Sequence, residues 1–263
     1  MLDDITPMVL TYNEAANIRR TLEKLAWSER IVLVDSGSSD DTLSIAAGFK
    51  NVEVVTRAFT TFAEQCNFGL THITSEWVLS LDADYVLSDA LVEELGSLES
   101  SDNVNGYRVP FVYCVNGRPL RGTLYPPRAV LYRVRKGCYH DFGHGHRVTI
   151  EGDLRGLANP IYHDDRKSLQ RWFDSQRRYA IAEVDYLLSE QHDRLNVSDR
   201  LRRSGWIMPL LVLPYTLLMK RVIFDGWPGW SYALQRLLAE VLIALELLER
   251  RLKTGQNSKR GRA

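Results

Sequence analysis

The chain has no excess of charge of either sign. Its 263 residues carry 33 Lys plus Arg against 33 Asp plus Glu, a formal net charge of zero. Nucleic-acid-binding domains show a basic excess, so that class is set aside. Cysteine is scarce, with three residues at 66, 114 and 138 and no Cys-x-x-Cys pair. That excludes a disulfide framework or a zinc ribbon and points to a reducing, cytoplasmic compartment. Residues 1–8 hold Asp3 and Asp4 and no apolar run, so no signal peptide is read there. The uncharged run 205–219 is about 15 residues long and contains two prolines. A spanning helix needs about 20 apolar residues, so an interfacial segment is expected instead.

What is present is an ordinary globular composition, 45% hydrophobic and 25% charged. The first third alternates strand-like and helix-like segments. Residues 8–11 are a short apolar run. Asn13 is expected to cap a helix with Ile18, Leu22 and Leu25 on one face. Residues 30–35 read as a buried parallel strand ending in Asp35, and 36–39 as a turn. Residues 40–47 and 62–70 read as helices, 52–56 as a strand, and 77–81 as a strand running into Asp82-Ala83-Asp84. This alternation implies right-handed crossovers and a mostly parallel sheet. Ligands bind beyond the carboxyl ends of such strands. Thr11, Asn13, Glu14, Asp35, Asp82 and Asp84 all follow strand ends, so three loops deliver polar groups to one edge.

Paired acids at a strand end suit diphosphate chemistry. A hard divalent cation, Mg2+ or Mn2+, neutralises the diphosphate through one or two carboxylates and phosphate oxygens. A solvated loop is the plainer reading of Asp82 and Asp84. Asp84 is in either case expected to be an exposed loop acid, so that Asp84→Ala would abolish the chemistry and leave the fold intact. Asp35 suits a base N–H or ribose hydroxyl, or equally a turn.

The segments Val9-Leu10-Thr11-Tyr12-Asn13-Glu14, Val34-Asp35-Ser36-Gly37-Ser38-Ser39-Asp40 and Leu79-Ser80-Leu81-Asp82-Ala83-Asp84 resemble the three hallmarks of family 2 glycosyltransferases. With Phe62-Ala63-Glu64-Gln65-Cys66-Asn67-Phe68, the chain is most similar to the lipopolysaccharide-core β-glucosyltransferase-like branch. The resemblance implies a GT-A fold, an α/β architecture with a mostly parallel sheet flanked by helices. It implies a metal-dependent inverting transfer from a nucleotide-diphosphate sugar, with uridine expected as the base. The acceptor it implies is lipid-linked or a lipopolysaccharide or other cell-envelope glycan. Thr11, Asn13, Glu14 and Asp35 would contact the nucleotide, Asp82 the ribose, Arg57 and Asn67 the donor, and Asp84 the metal.

Inversion needs a general base. Related chains carry a His-Glu pair where this one has His144-Gly145-His146-Arg147. Asp141, His144 and His146 all stand as candidates. Arg128, Arg133 and Arg147 could bind phosphate on donor or acceptor, although solvation explains most surface arginines. His163-Asp164-Asp165 reads as a second-shell pair or, preferably, a helix cap.

The expected organisation is a catalytic domain over 1–165, with a nucleotide-binding half (1–100) and an acceptor half (101–165). A helical, membrane-associating appendage follows over 166–253, then a disordered basic tail over 254–263. Trp206, Trp227 and Trp230 with Arg200, Arg202, Arg203, Lys220 and Arg221 would place the appendage peripherally on the inner face of the cytoplasmic membrane. A buried or dimer-forming helical hairpin is the alternative. Two other functions are weighed. One is a catalytically silent nucleotide-sugar-binding scaffold, which the missing His-Glu pair favours and the retained acids oppose. The other is a nucleotidyltransferase, for which the N-terminal loop lacks glycine and arginine.

Overall fold

The computed structural model describes residues 1–99, 103–142, 145–189 and 195–260; for 142, 145, 146 and 254–260 it describes the backbone alone. The chain divides into two compact units, one of residues 1–141 and 145–167, the other built from residue 168 onward.

The first unit is organised by strands β1 (Ile5–Thr11), β2 (Ile31–Asp35), β3 (Val52–Thr56), β4 (Trp77–Asp82), β5 (Tyr85–Leu87), β6 (Val104–Val109), β7 (Phe111–Val115), β8 (Arg118–Pro119), β9 (Arg128–Arg133), β10 (Gly137–Phe142), β11 (Gly145–Ile150), β12 (Asp153–Gly156) and β13 (Ile161–His163). Seven of them form one sheet in the order β12-β6-β9-β4-β1-β2-β3. β3, β2, β1 and β4 run parallel, whereas β9 is antiparallel to both β4 and β6. Helices α1 (Ile18–Glu23), α2 (Thr42–Ala46), α3 (Phe62–Leu70) and α4 (Asp89–Ser97) make the connections.

The sheet is buried on both faces, which is why its central strands read as continuous apolar runs. Ile18, Leu22, Leu25, Ile31, Leu33, Leu79 and Leu81 fill one core. Met8, Val32, Val34, Cys66 and Val78 fill the other. Gly69 marks where α3 lies against the sheet. A Cβ there would meet Met8 Sδ and Val34 Cγ2 well inside van der Waals distance.

A smaller sheet, β5-β13-β7-β8, adjoins the end of β4. β13 runs parallel to β7 at its centre and antiparallel to β5 at its edge, with His163 opposite Tyr85 and Ile161 opposite Leu87. β10 and β11 pair with each other.

The helical content of the second unit agrees with the sequence, and its details differ. α5 (Leu169–Ser189), α6 (Val197–Arg203), α7 (Ile207–Pro214) and α8 (Trp227–Arg260) pack together. Arg202 is its internal anchor, held by Glu240 at 2.7 Å, Glu183 at 3.2 Å and Asp199 at 3.3 Å. α8 starts at Trp227. Gly226, at φ 63°, makes the bend, and Pro228 lies in the first helical turn, where its missing N–H is harmless. Backbone helix continues to Arg260, through most of the stretch expected as a tail. Among the described residues no helix is long and apolar enough to cross a membrane.

Candidate active site

Three strand ends meet at one rim. Thr11 pairs with Asp35 across β1 and β2, and Leu10 with Asp82 across β1 and β4. Asp35 and Asp82 therefore flank the end of β1 on the same sheet edge, as the sequence pattern predicts.

What each side chain does there varies. Asp35 is fully buried, and its carboxylate accepts from Thr11 Oγ1 (3.1 Å), Gly37 N (2.8 Å), Ser38 N (2.9 Å) and Ser38 Oγ (2.5 Å). Four bonds occupy the lone pairs of a carboxylate. Asp35 thus shapes the loop after β2, and no free acceptor is left for a base or ribose. Thr11 spends its hydroxyl on Asp35.

Asn13 does not cap α1. It has φ 56°, and its Oδ1 accepts from Ser39 N (2.7 Å) and Asp40 N (3.3 Å), lacing the first loop to the second. Asn67 is likewise consumed. Its amide donates to Tyr139 O and accepts from Tyr139 N, both at 3.0 Å, so it splices α3 to β10 in place of a donor contact. Arg57 lies 2.7 Å from Glu64 and over the ring of Phe68, half-exposed.

Asp82 ends β4 partly exposed, without a hydrogen-bond or ion-pair partner among the described residues. Asp84 is buried, contrary to its reading as an exposed loop acid. The loop between them is pinned by Thr21 Oγ1 donating to Ala83 O at 2.6 Å and by Asp164 N donating to Asp84 O at 3.1 Å.

The β5–β13 register delivers His163 to this loop, with its Nε2 3.3 Å from Asp84 Oδ2. Burial alone would raise the Asp84 carboxyl. The imidazole, by charge and hydrogen bond, and then Lys167 hold it down at about 2. Asp84 Oδ1 and His163 Nδ1 are buried without any partner.

Residues 163–165 therefore do not act as a helix cap. Asp164 takes Arg20 and Arg166, and Asp165 takes Asn17. Lys167 Nζ lies 2.6 Å from Glu14 Oε1 and 3.5 Å from Asp165 Oδ2. Glu14 is pushed up to about 7 by burial, which Lys167 offsets in part and the Asp84 charge reinforces. Lys167 is the site residue that sequence reading missed, its one signal being a basic-acidic cluster just after a short strand; His163 was singled out, and its contact with Asp84 was not foreseen.

Among the candidate bases, Asp141 is exposed at the N-terminus of α3, accepting from Ala63 N at 3.3 Å. Burial, and then the charges of Asp82 and Asp141, push the Cys66 thiol up. His144 and the side chain of His146 lie outside the described residues.

A divalent ion fits this rim. Asp84 offers a buried, unpartnered oxygen, and His163 beside it offers an imidazole nitrogen. Three carboxylates (Glu14, Asp84 and Asp165) crowd one ammonium. Among the described residues no cluster of three ligating side chains exists, so diphosphate and water would complete the coordination.

A mostly parallel sheet flanked by helices, with acids gathered beyond β4 and a small mixed sheet beside them, is the GT-A architecture. Residues 8–144 match the pattern of glycosyl transferase family 2, and the chain belongs to that family. A lipopolysaccharide core biosynthesis glycosyltransferase of Rhizobium meliloti, LpsC, is 30% identical over 110 residues, 40% of this chain and 41% of that protein. An uncharacterized glycosyltransferase of Rickettsia bellii is 32% identical over 104 residues, 39% of this chain and 35% of that one. The matches thus span some two-fifths of these relatives' length. Among solved structures, S. aureus TarS 1-349 in complex with UDP-GlcNAc aligns with TM-score 0.49 and 14% identity, covering 95% of this chain and 92% of that one. Glucosyl-3-phosphoglycerate synthase of Mycobacterium tuberculosis, with Mn2+ and UDP, aligns with TM-score 0.48 and 14% identity, covering 72% and 81%.

Proposed function

We propose that this chain transfers a sugar from a nucleotide-diphosphate donor, a UDP-sugar, to a hydroxyl of a lipid-linked or cell-envelope glycan acceptor, with inversion. The observation that carries the reading is the buried Asp84–His163 pair beside Asp82 at the rim where β1, β2 and β4 end.

The nucleoside would lie over the loops that Asp35 and Asn13 brace, and the diphosphate over Asp82 and Asp84. Asp84 and His163 would hold a divalent ion, which supplies charge neutralisation to the departing diphosphate. The acceptor oxygen forms a bond to the anomeric carbon as the bond from that carbon to the phosphate oxygen breaks, and its electron pair leaves with the nucleoside diphosphate. The acceptor's proton passes to a base, for which Asp141 is our candidate among the described residues. Its place at a helix N-terminus suits a carboxylate.

The experiment is turnover of UDP-sugars with Mn2+ present, comparing the native chain with Asp84→Asn. Asparagine preserves the buried shape that alanine would vacate. Release of UDP by the native protein and its loss by at least about a hundredfold in the variant are expected for an interaction made in the transition state. A native protein that binds UDP-sugar and never turns it over, with any envelope glycan offered, would point to the scaffold reading.

We also propose peripheral contact with an anionic membrane. Trp206, Leu218, Met219, Phe224 and Trp227 in the second unit are exposed beside Lys220 and Arg221, and this mixture of indole, aliphatic and cationic groups suits the lipid headgroup zone.

A further inference from the structure

Arg128 opens β9 at the rim. β9 lies beside β4 in the sheet, so Arg128 and Asp82 stand on neighbouring strands, close enough for the Asp82 charge to act on the guanidinium. Its guanidinium stacks over the Tyr125 ring, 4.5 Å from the centroid, and donates to Tyr85 Oη at 3.2 Å. Tyr85 and Tyr125 also hydrogen-bond to each other through their hydroxyls. Both rings pack edge-on against His163, with centroids 5.3 and 4.9 Å away. The cation and the Asp84–His163 pair thus stand on two sides of one aromatic wall.

Another arginine of the same strand has structural work. Arg133, at the far end of β9, pairs with Glu76, stacks on Trp77 and donates to Val104 O. Arg128 has no such role. Among the described residues no carboxylate lies within ion-pair distance, and only one of its five N–H donors meets a protein acceptor. Burial works against its charge, while the two phenols and the Asp82 carboxylate hold that charge in place. A half-buried guanidinium without a counter-ion is costly unless a ligand supplies one.

We propose that Arg128 is an anion subsite of this rim, its fork taking phosphate oxygens on the β9 side of Asp82. This rests on the transferase reading above, and deepens it. Two sources carry that chemistry, the distal phosphate of the donor and an anionic group on the acceptor. Planar bidentate recognition explains why arginine, rather than lysine, is stacked on a tyrosine here.

Calorimetry on the full chain with Mn2+ separates the sources. UDP and UMP are titrated into the native protein, Arg128→Gln, Arg128→Lys and Arg155→Gln; the last removes the same charge from an exposed position on β12. Inorganic phosphate is then titrated into each protein, free and preloaded with UDP. Thermal melting checks that all four fold.

If the donor's distal phosphate is the ligand, Arg128→Gln weakens UDP by about 10- to 100-fold and leaves UMP unchanged. If the acceptor supplies the anion, UDP binding is unchanged and the UDP-loaded protein loses its phosphate site. In either case Arg128→Lys recovers only part and Arg155→Gln matches the native protein. A folded Arg128→Gln that binds UDP and phosphate as the native chain does, or as weakly as Arg155→Gln, overturns the subsite. A native protein that fails to bind UDP but still binds phosphate through Arg128 would refute the transferase reading and leave the subsite standing. Native protein binding neither anion refutes both.

Discussion

Glu14, Asp84 and Asp165 share one ammonium, that of Lys167, and the shortage of positive charge falls on Glu14. Its carboxyl is raised from the usual range to about 7 by burial, with Lys167 compensating in part. A raised folded-state pKa means the native state holds this proton more tightly than the unfolded chain does. The stability it gives is therefore complete below about pH 4.5 and is lost as pH rises through about 7. We expect Glu14→Gln to flatten that slope. In urea titrations from pH 5 to 8, the native chain should lose up to about 3 kcal/mol relative to the variant. Parallel profiles for the two proteins would show that Glu14 titrates normally. Divalent metal should shrink the difference, because an added cation at the rim favours the carboxylate.

The same neighbourhood shows which residues a sequence can and cannot disclose. Asp35, Asp82 and Asp84 were legible as a group because each follows an apolar strand, and strand ends share an edge. Their individual roles were not. Whether Asp35 meets a ligand or a backbone turn depends on where Ser38 and Gly37 point. Likewise, whether Asn67 meets donor or protein depends on a partner strand 72 residues away. The contact of His163 with Asp84 was hidden for the same reason, since only the pairing of β13 with β5 creates it.

At the scale of elements, the parallel strands were the clearest part of the sequence, because burial on both faces leaves continuous β-branched runs. The small sheet was harder to read. β5 and β8 are three and two residues long, too short for any periodicity, and they are set by pairing alone. α3 shows how closely helix and sheet are fitted. Gly69 lets it approach Met8 and Val34 with no side chain between. Gly69→Ala should therefore lower stability by about 1–3 kcal/mol through overpacking, despite alanine's better helix propensity. Chemical denaturation decides this; a neutral or stabilised variant would mean that Met8 swings aside at no cost. Because α3 also positions Asp141 through Ala63 N, turnover should fall more than UDP binding does.

At the scale of the molecule, two units differ in what they leave on their surfaces. The first buries most of its apolar strands and gathers buried and partly buried acids at one rim. The second hides an ion network around Arg202 and exposes large apolar groups, with Trp227 at 87% and Met219 at 72%. Contiguous exposed apolar surface on a folded unit marks an interaction site. The neighbouring Lys220 and Arg221 favour anionic lipid over a neutral partner. Pro214 contributes to the shape, because the chain passes from α7 into a π-helical turn (Tyr215–Met219) where a proline cannot donate to the helix ladder. We expect the triple variant Trp206→Ser, Phe224→Ser, Trp227→Ser to melt within about 2 °C of the native chain, since exposed side chains contribute little to stability. It should nonetheless lose flotation with phosphatidylglycerol vesicles. The native chain should bind those vesicles more weakly at 0.5 M salt and should bind neutral vesicles poorly, as charge-assisted interfacial anchoring requires. Equal recovery of native and variant protein with the vesicles would remove the lipid surface as the occupant. A native chain that self-associates, and becomes monomeric on the same substitutions, would assign the face to a second copy of this chain instead.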